Sequence, residues 1–273
     1  MVDLKEAHDK RQALLDNLRA LDSLLVAFSG GVDSTFLLAV AHEALGPKVI
    51  AVTAHSIIYP LSEIQEAVAF TRDRGIEHVL LASEVSQLPE FVANPPERCY
   101  FCKKYLFARL REIAEQRGIR SIAHAANMDD FDDFRPGWKA AVEMGGIAPL
   151  VEARLNKEEI RHLSRELGLA TWNKPSMACL ASRVPYGEPI TDTKLRMIGE
   201  AEKEIGSHGF TQYRVRHHGA VARIELKASD MKRIMEPEIK ERIVAKLKEL
   251  GFLYVTLDLE GYVTGSMNRA LKK

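Results

Sequence analysis

Cysteine is scarce. The chain has three in 273 residues, an odd and small number that gives no disulfide framework. No apolar run approaches the roughly 20 residues of a membrane-spanning helix, so no membrane partner is expected. Neither sign of charge is in excess: lysine plus arginine equals aspartate plus glutamate at 38 each. A protein built mainly to grip nucleic acid carries a basic surplus, and this one has none, although a local basic face is compatible with the balance. Repeats and low-complexity segments are missing too. The opening MVDLKEAHDK is charged and lacks a signal-peptide core, so a cytoplasmic protein is expected. An apolar content of 46% and a charged content of 28% are ordinary for a globular chain. The length suffices for one large domain or two ordinary ones.

The most specialised stretch is LLVAFSGGVDSTFLLAVA, Leu24 to Ala41. Leu24 to Phe28 is a short apolar run, as in a strand buried on both faces. Thr35 to Leu45 is apolar nearly all round and reads as a buried helix. Between them lies Ser29-Gly30-Gly31-Val32-Asp33-Ser34. Its glycines allow positive φ and close approach of the backbone. The helix that follows turns free N–H groups and its positive dipole end toward the loop. Together these make an anion site suited to phosphate. No lysine follows the glycines, so this is not a P-loop, and the spacing is not G-x-G-x-x-G. A lysine-free SGGxDS loop resembles the PP-loop of ATP pyrophosphatases, which grips the pyrophosphate released when ATP is cut between its α and β phosphates. The resemblance implies ATP with Mg²⁺ held partly by Asp33, and phosphate oxygens bonded by Ser29 and Ser34.

Along the chain, strands and helices alternate. Residues 4–21 have helical apolar spacing. Strands are predicted at Val49–His55, Glu77–Ala82 and Ser121–Ala126. Helices are predicted at Leu61–Arg74 and Arg98–Arg117, each stopped by a glycine. Asn94-Pro95-Pro96 must be non-helical. The pattern predicts an α/β fold, a parallel sheet with helices on both faces and ligands at the carboxyl ends of the strands. Near Pro185 it changes. Gln212–Arg216 and Val221–Leu226 alternate apolar and polar, joined by His217-His218-Gly219-Ala220 as a hairpin. A helix over Asp230–Leu250 and a strand over Tyr254–Leu259 follow. Two domains are therefore expected: residues 1–185, the nucleotide-binding part, and residues 186–273, a smaller α+β part for substrate binding and oligomerisation.

Cys99 and Cys102 form Cys-x-x-Cys in the first turn of a helix, with both sulfurs on one face. The helix terminus and Arg98, Lys103 and Lys104 favour thiolate there. Cys179 lies far downstream in NKPSMACLASRVPYG, which reads as a loop. Separate buried cysteines, a redox pair, a zinc site and a three-cysteine iron–sulfur cluster all remain open on the residues alone. Zinc wants four ligands, and no second Cys-x-x-Cys closes such a site. Three thiolates would leave one iron of a [4Fe–4S] cluster without a protein ligand. Sulfur transfer would need both an activated acceptor and a sulfur source, which links the cysteines to the loop.

Five segments carry a closer resemblance: AFSGGVDS, ANMDDFDDFRPGWKAA, GLATWNKPSMACLASRVPYGEPIT, YRVRHHGAVARIEL and YVTLDLEGYVTGSMN. They span almost the whole chain and resemble the LarE family, ATP-dependent sulfur transferases of nickel-pincer nucleotide (lactate racemase) cofactor biosynthesis. That resemblance implies a Rossmann-like HUP domain. It also implies a pyridinium mononucleotide substrate whose two carboxylates are adenylylated in turn, with pyrophosphate released, and converted to thiocarboxylates. An acyl-adenylate makes chemical sense, because a bare carboxylate is a poor electrophile and AMP a good leaving group. The sulfur would come from a [4Fe–4S] cluster on Cys99, Cys102 and Cys179, fed by sulfide or a sulfur donor, or else from Cys179 itself as a sacrificial residue.

The resemblance also implies roles for other residues. Ser182 and Arg183 would position the adenylylated substrate beside Cys179. Asn127 and Asp130, with Asp129, would face the nucleotide just after the fourth strand; a solvated acidic turn would look the same. Arg135 would contact a phosphate, although a surface ion pair would explain it as well. Arg214 and Arg216 alternate, so both point to one face of a strand, where they would hold the substrate's phosphate near a subunit interface. A solvated edge strand is the alternative. A homo-oligomer, trimer or hexamer, and transient contacts with other nickel-pincer biosynthesis proteins are implied. His217 and His218 receive no catalytic role, and Trp138 and Trp172 are read as packing residues. The rivals are a tRNA-thiolating PP-loop enzyme, which also pairs this loop with three cluster cysteines; an amide-forming relative; and a non-catalytic nucleotide sensor.

Overall fold

The computed structural model describes residues 2–132, 136–175, 178–263 and 265–272. The chain divides into two compact units, one made of residues 1–56, 61–85 and 97–177 and the other of 57–60, 86–96 and 178–273. The second unit thus begins at Ala178 and takes in two segments from the first half of the chain. Asn94 shows why the 86–96 segment belongs there. It is fully buried, has φ +55°, and its side-chain amide donates to the carbonyls of Pro185 and Glu188 at 2.7 and 2.9 Å.

In the first unit α1 (Leu4–Arg19) is capped by Asp3, whose carboxylate accepts from the amides of Lys5 and Glu6. β1 (Leu24–Ala27), α2 (Val32–Leu45), β2 (Val49–His55), α3 (Leu61–Asp73) and β3 (Glu77–Ala82) follow. Beyond α4 (Pro89–Val92), which belongs to the second unit, come α5 (Arg98–Gln116), β4 (Ser121–Ala123), α6 (Pro136–Glu143), α7 (Pro149–Glu152) and α8 (Lys157–Glu166). The four strands pair in parallel in the order β3-β2-β1-β4. Alternate residues of β1 enter opposite cores. Leu24 and Val26 pack with Leu14, Leu18, Phe36 and Leu163 on one face, while Leu25 packs with Phe107 and Leu110 on the other. Each such side chain, fully buried, contributes roughly 1.5–3 kcal/mol.

The predicted parallel sheet with helices on both faces is present. Two boundaries differ in this unit. The buried helix begins three residues earlier, at Val32, so Asp33 and Ser34 lie inside its first turn. The fourth strand ends at Ala123 rather than Ala126: its pairing with β1 stops at Val26–Ala123, and its other edge is bridged by Ile147, whose carbonyl accepts from the His124 amide at 3.0 Å.

The second unit holds α9 (Asp192–Ser207), β5 (Tyr213–His218), β6 (Val221–Leu226), α10 (Pro237–Glu249) and β7 (Tyr254–Leu257). Its sheet runs β5-β6-β7, antiparallel then parallel. The hairpin turn is only Gly219-Ala220, with Gly219 at φ +60°, so His217 and His218 belong to the strand. The helix predicted over Asp230–Leu250 begins at Pro237 instead. Proline excludes the preceding residue from helical backbone and favours the first helical position, so residues 228–235 form short 3₁₀ turns. The last strand stops at Leu257, not Leu259. Ile205, Phe210, Val215, Ile224, Leu226, Leu247 and Phe252 form the core of this unit.

Candidate active site

β1 lies between β2 and β4, so the chain reverses its direction of sheet growth there. The crevice at the carboxyl ends of these strands is the usual ligand position of an open parallel sheet. Two loops meet at it, residues 28–31 after β1 and residues 124–130 after β4.

The first loop is shaped for an anion. Gly30 has φ +70°, and a Cβ there would lie 3.3 Å from Ala67 Cβ, so both its conformation and its space call for glycine. Gly31 caps α2 without a side-chain cap. The amides of the first turn, from Val32 to Ser34, therefore have no intrahelical acceptor. Ser29 Oγ and Ser34 Oγ are 3.0 Å apart, and Ser34 Oγ donates to the Gly31 carbonyl at 3.2 Å. The hydroxyls of the loop thus lock its shape.

Asp33 sits in the first turn of α2. Its Oδ2 accepts from Lys157 Nζ at 2.6 Å. Its Oδ1 is buried with no hydrogen-bond partner among the described residues. A carboxylate oxygen left open beside a phosphate cradle fits Mg²⁺, which binds one or two carboxylates together with substrate phosphates.

The second loop is held by its own side chains. Asn127, buried, accepts from the Asp129 amide at 2.9 Å, and Asp130 Oδ2 accepts from the Asn127 amide at 3.1 Å. Asp129 Oδ2 accepts from the Lys157 amide at 2.8 Å. Lys157 therefore ties the two predicted loops together, and sequence reading missed it. Its signal was the capping box Asn156-x-x-Glu159, which starts α8. Lys174 was missed as well. Its ammonium donates to the Gly30 carbonyl at 3.2 Å and to Glu63 and Glu66 at 2.7 Å each. Burial disfavours that charge, but the two carboxylates overcome it and hold the Lys174 pKa above its ordinary value. Arg135 lies outside the described residues.

His124 follows β4. It is buried between the Phe107 and Trp138 rings, and burial, helped by the Lys103 charge, pushes its pKa down to about 3. It is neutral at any working pH.

Cys99 and Cys102 occupy the first two turns of α5, one exposed and one half-buried. Gly137 lets α6 approach them: a Cβ at Gly137 would stand 3.3 Å from the Cys99 carbonyl oxygen. Cys179 belongs to the other unit and precedes a 3₁₀ turn. Among the described residues no group of three or more His, Cys, Asp or Glu side chains gathers to hold a metal ion. The three thiols are, as a donor set, of the kind that binds iron–sulfur clusters.

The Cys179 loop is fixed through its backbone. Its carbonyl accepts from Ser182 Oγ at 2.8 Å and from Arg183 Nη1 at 3.1 Å. Arg183, fully buried, also donates to the Ala178 carbonyl and pairs with Glu202. Arg216 donates to the Ser182 carbonyl at 3.0 Å and forms a bidentate pair with Glu225. The hairpin register sets Arg214 opposite Glu225 and Arg216 opposite Arg223, so these four charged residues share one face. Arg214 and Arg216 are both buried, so this is not a solvated edge. Arg214 lies over the Tyr262 ring, and burial, with the Arg183 cation nearby, lowers its pKa. Glu202 and Glu225 were not anticipated; on a charged helix and an alternating strand they read as surface residues. His217 packs on Phe252 in the core.

A parallel sheet with a lysine-free SGGVDS loop at its switch point defines a PP-loop nucleotide-binding domain. Known proteins agree. An uncharacterized protein of Synechocystis is 42% identical over 96% of this chain and 99% of its own length. The pyridinium-3,5-bisthiocarboxylic acid mononucleotide synthase of Lactiplantibacillus plantarum is 36% identical over 97% of this chain and 95% of its own. A component of the glutamine-hydrolyzing GMP synthase of Archaeoglobus fulgidus is 26% identical over 66% of this chain and 59% of its own length, which fits a shared nucleotide-binding part. No family model matches the chain. The chain belongs to the pyridinium-3,5-bisthiocarboxylic acid mononucleotide synthase family of PP-loop enzymes. Among the described residues no helix is long and apolar enough to cross a membrane.

Proposed function

We propose that this protein is an ATP-dependent sulfur transferase that converts the two carboxylates of a pyridinium-3,5-biscarboxylic acid mononucleotide to thiocarboxylates, the product named for its Lactiplantibacillus relative. The observation that carries this reading is the loop from Ser29 to Ser34 with the open, buried Oδ1 of Asp33 beside it. That arrangement suits a leaving pyrophosphate bound to Mg²⁺. A substrate carboxylate attacks the α phosphate of ATP, forming an acyl-adenylate and releasing pyrophosphate. First-turn amides of α2, Ser29 and Ser34 stabilise the charge that develops on the leaving group, and Asp33 would hold a Mg²⁺ ion that adds positive charge there. Sulfur then displaces AMP, and the cycle repeats at the second carboxylate.

Asn127 and Asp130 shape the wall of the nucleotide site, with Arg135 as a further phosphate contact. Arg183 and Ser182 hold the backbone of Cys179 in place, and Arg214 and Arg216 supply positive charge for the substrate's phosphate. A [4Fe–4S] cluster held by Cys99, Cys102 and Cys179 would supply a renewable sulfide at the iron that lacks a thiolate. We further infer a cytoplasmic homo-oligomer, a trimer or hexamer. The N-terminal part binds nucleotide and the C-terminal part serves substrate binding and assembly. Other proteins of nickel-pincer cofactor synthesis would be transient partners.

Acceptor-dependent release of pyrophosphate tests the reading. The pyridinium biscarboxylic acid mononucleotide should stimulate release from ATP. Release stimulated by tRNA instead, with thiolated tRNA as product, would move the protein to the tRNA-modifying class. No release of pyrophosphate, whichever carboxylate acceptor is supplied, would reduce it to a nucleotide-binding protein.

A further inference from the structure

His78 belongs to no motif, yet its ring joins α3 to the strand end that carries the phosphate loop. It lies in β3 and is half-buried. Its Nε2 is 2.8 Å from Thr53 Oγ1 on β2, and its Nδ1 is 2.9 Å from Thr71 Oγ1 on α3. Both threonines are buried. Thr53 Oγ1 lies 2.8 Å from the Phe28 carbonyl oxygen. Thr71 Oγ1 lies 3.2 and 3.0 Å from the carbonyl oxygens of Ala67 and Val68, inside its own helix.

The Phe28 carbonyl belongs to the peptide that leads from β1 into the loop. The N–H of that same peptide, on Ser29, donates to Ser34 Oγ at 3.3 Å. Thr53 and Ser34 thus hold one peptide plane from its two sides, and Ser34 Oγ also holds Ser29 Oγ and the Gly31 carbonyl. The orientation of this first peptide is passed on to the rest of the cradle.

Protons are short in this network. Each threonine has one hydroxyl proton and a neutral imidazole has one N–H. Burial lowers the His78 pKa, which favours the neutral ring. With the proton on Nε2, His78 donates to Thr53, Thr53 donates to the Phe28 carbonyl, and Thr71 donates to Nδ1. With the proton on Nδ1, His78 donates to Thr71 and Thr71 donates within α3. Thr53 must then donate to Nε2, and the Phe28 carbonyl loses its hydroxyl. Each tautomer makes three bonds, so bond number does not choose between them. A ligand that needs one loop geometry does.

We propose that His78 is a positioning residue for the phosphate loop: its Nε2–H tautomer turns the Thr53 hydroxyl onto the Phe28 carbonyl, and that bond fixes the first peptide of the loop in the orientation that receives pyrophosphate. The inference rests on the reading of residues 29–34 as a nucleotide site and deepens it.

The test uses the full chain with inorganic pyrophosphate and Mg²⁺. Nitrogen-15 NMR of the histidine rings reads the tautomer in wild type, with His78→Gln identifying the signal. In the pyrophosphate complex His78 should carry its proton on Nε2. A proton on Nδ1 in that complex, whether or not Nε2 keeps its own, overturns the inference. Calorimetry then compares two variants that each remove one buried hydroxyl from the same network. Thr53→Val should bind pyrophosphate about tenfold more weakly, the scale of one lost hydrogen bond, and Thr53→Ser should restore binding. Thr71→Val leaves the Nε2–H tautomer two bonds against one, so it should bind as tightly as wild type or more tightly. Equal affinity in wild type and Thr53→Val overturns the inference while leaving the loop's function standing. Equal weakening in both valine variants overturns it in favour of a structural role. A wild-type chain that binds no pyrophosphate overturns the nucleotide-site reading, and the inference with it.

Discussion

Arg183 and Glu202 form a bidentate pair: Nε donates to Oε1 at 2.8 Å and Nη2 to Oε2 at 3.0 Å, with the two side chains 0% and 6% exposed. The remaining Arg183 donor, Nη1, is spent on the Ala178 and Cys179 carbonyls and on Ser182 Oγ. One buried guanidinium therefore connects α9 to the backbone of the cysteine loop. Removing one partner leaves a buried charge uncompensated, which costs about 3–5 kcal/mol. Glu202→Gln should lower unfolding stability in urea by an amount in that range. A change below about 1 kcal/mol, the size of a surface pair, would contradict the burial.

Gly30→Ala tests the loop. The variant forces φ +70° on a residue with a Cβ and presses that Cβ against Ala67. The conformation alone costs roughly 1–3 kcal/mol. Pyrophosphate release should fall steeply while the circular dichroism spectrum stays native. Wild-type turnover in this variant would show that the loop does not hold the phosphates.

Asp33→Asn should abolish Mg²⁺-dependent turnover and leave the fold intact, because the site loses its anionic oxygen without losing volume. Normal pyrophosphate release by the purified variant would remove Asp33 from the metal site.

His124 predicts a pH dependence with a definite sign. Its folded pKa of about 3 lies below the unfolded value of 6.5. Between those values the unfolded chain binds the extra proton, so stability falls as pH falls from 6.5 toward 3, by up to about 1.4 kcal/mol per pH unit. Above the unfolded value both states are neutral and the effect vanishes. Stability measured at about pH 5 and about pH 7 should differ less in His124→Phe than in wild type. An identical difference in the two proteins would contradict the burial of a neutral ring.

Much of this molecule was legible in the sequence because local patterns carry it. The apolar run at Leu24, the glycines of the loop and the glycine stops of α3 and α5 pointed to the parallel sheet and the position of the anion site. The alternation of Arg214 and Arg216 placed them on a common face. What was not legible depends on contacts between distant residues. Nothing near Glu202 or Glu225 marks them as buried, since only their arginine partners make burial tolerable. Lys157 and Lys174 look like surface lysines until folding sets them on Asp33 and on the Gly30 carbonyl. The helix predicted from Asp230 failed for a local reason that was available: Pro237 belongs at a helix start, not inside one.

The cysteines make a separate prediction. Protein purified without oxygen should carry about four iron and four acid-labile sulfide per chain, lost in each of Cys99→Ala, Cys102→Ala and Cys179→Ala. Wild type that takes up no iron even on reconstitution would turn attention to Cys179 as the sulfur itself, visible as dehydroalanine at that residue after turnover.

The most direct measurement is the mass of the product. The protein is incubated anaerobically with ATP, Mg²⁺, sulfide and the pyridinium biscarboxylic acid mononucleotide, and the nucleotide is read by mass spectrometry. The account predicts exchange of two oxygens for two sulfurs, with one AMP and one pyrophosphate formed per sulfur. AMP and pyrophosphate formed without any sulfur entering the mononucleotide, or no consumption of ATP in its presence, would contradict it.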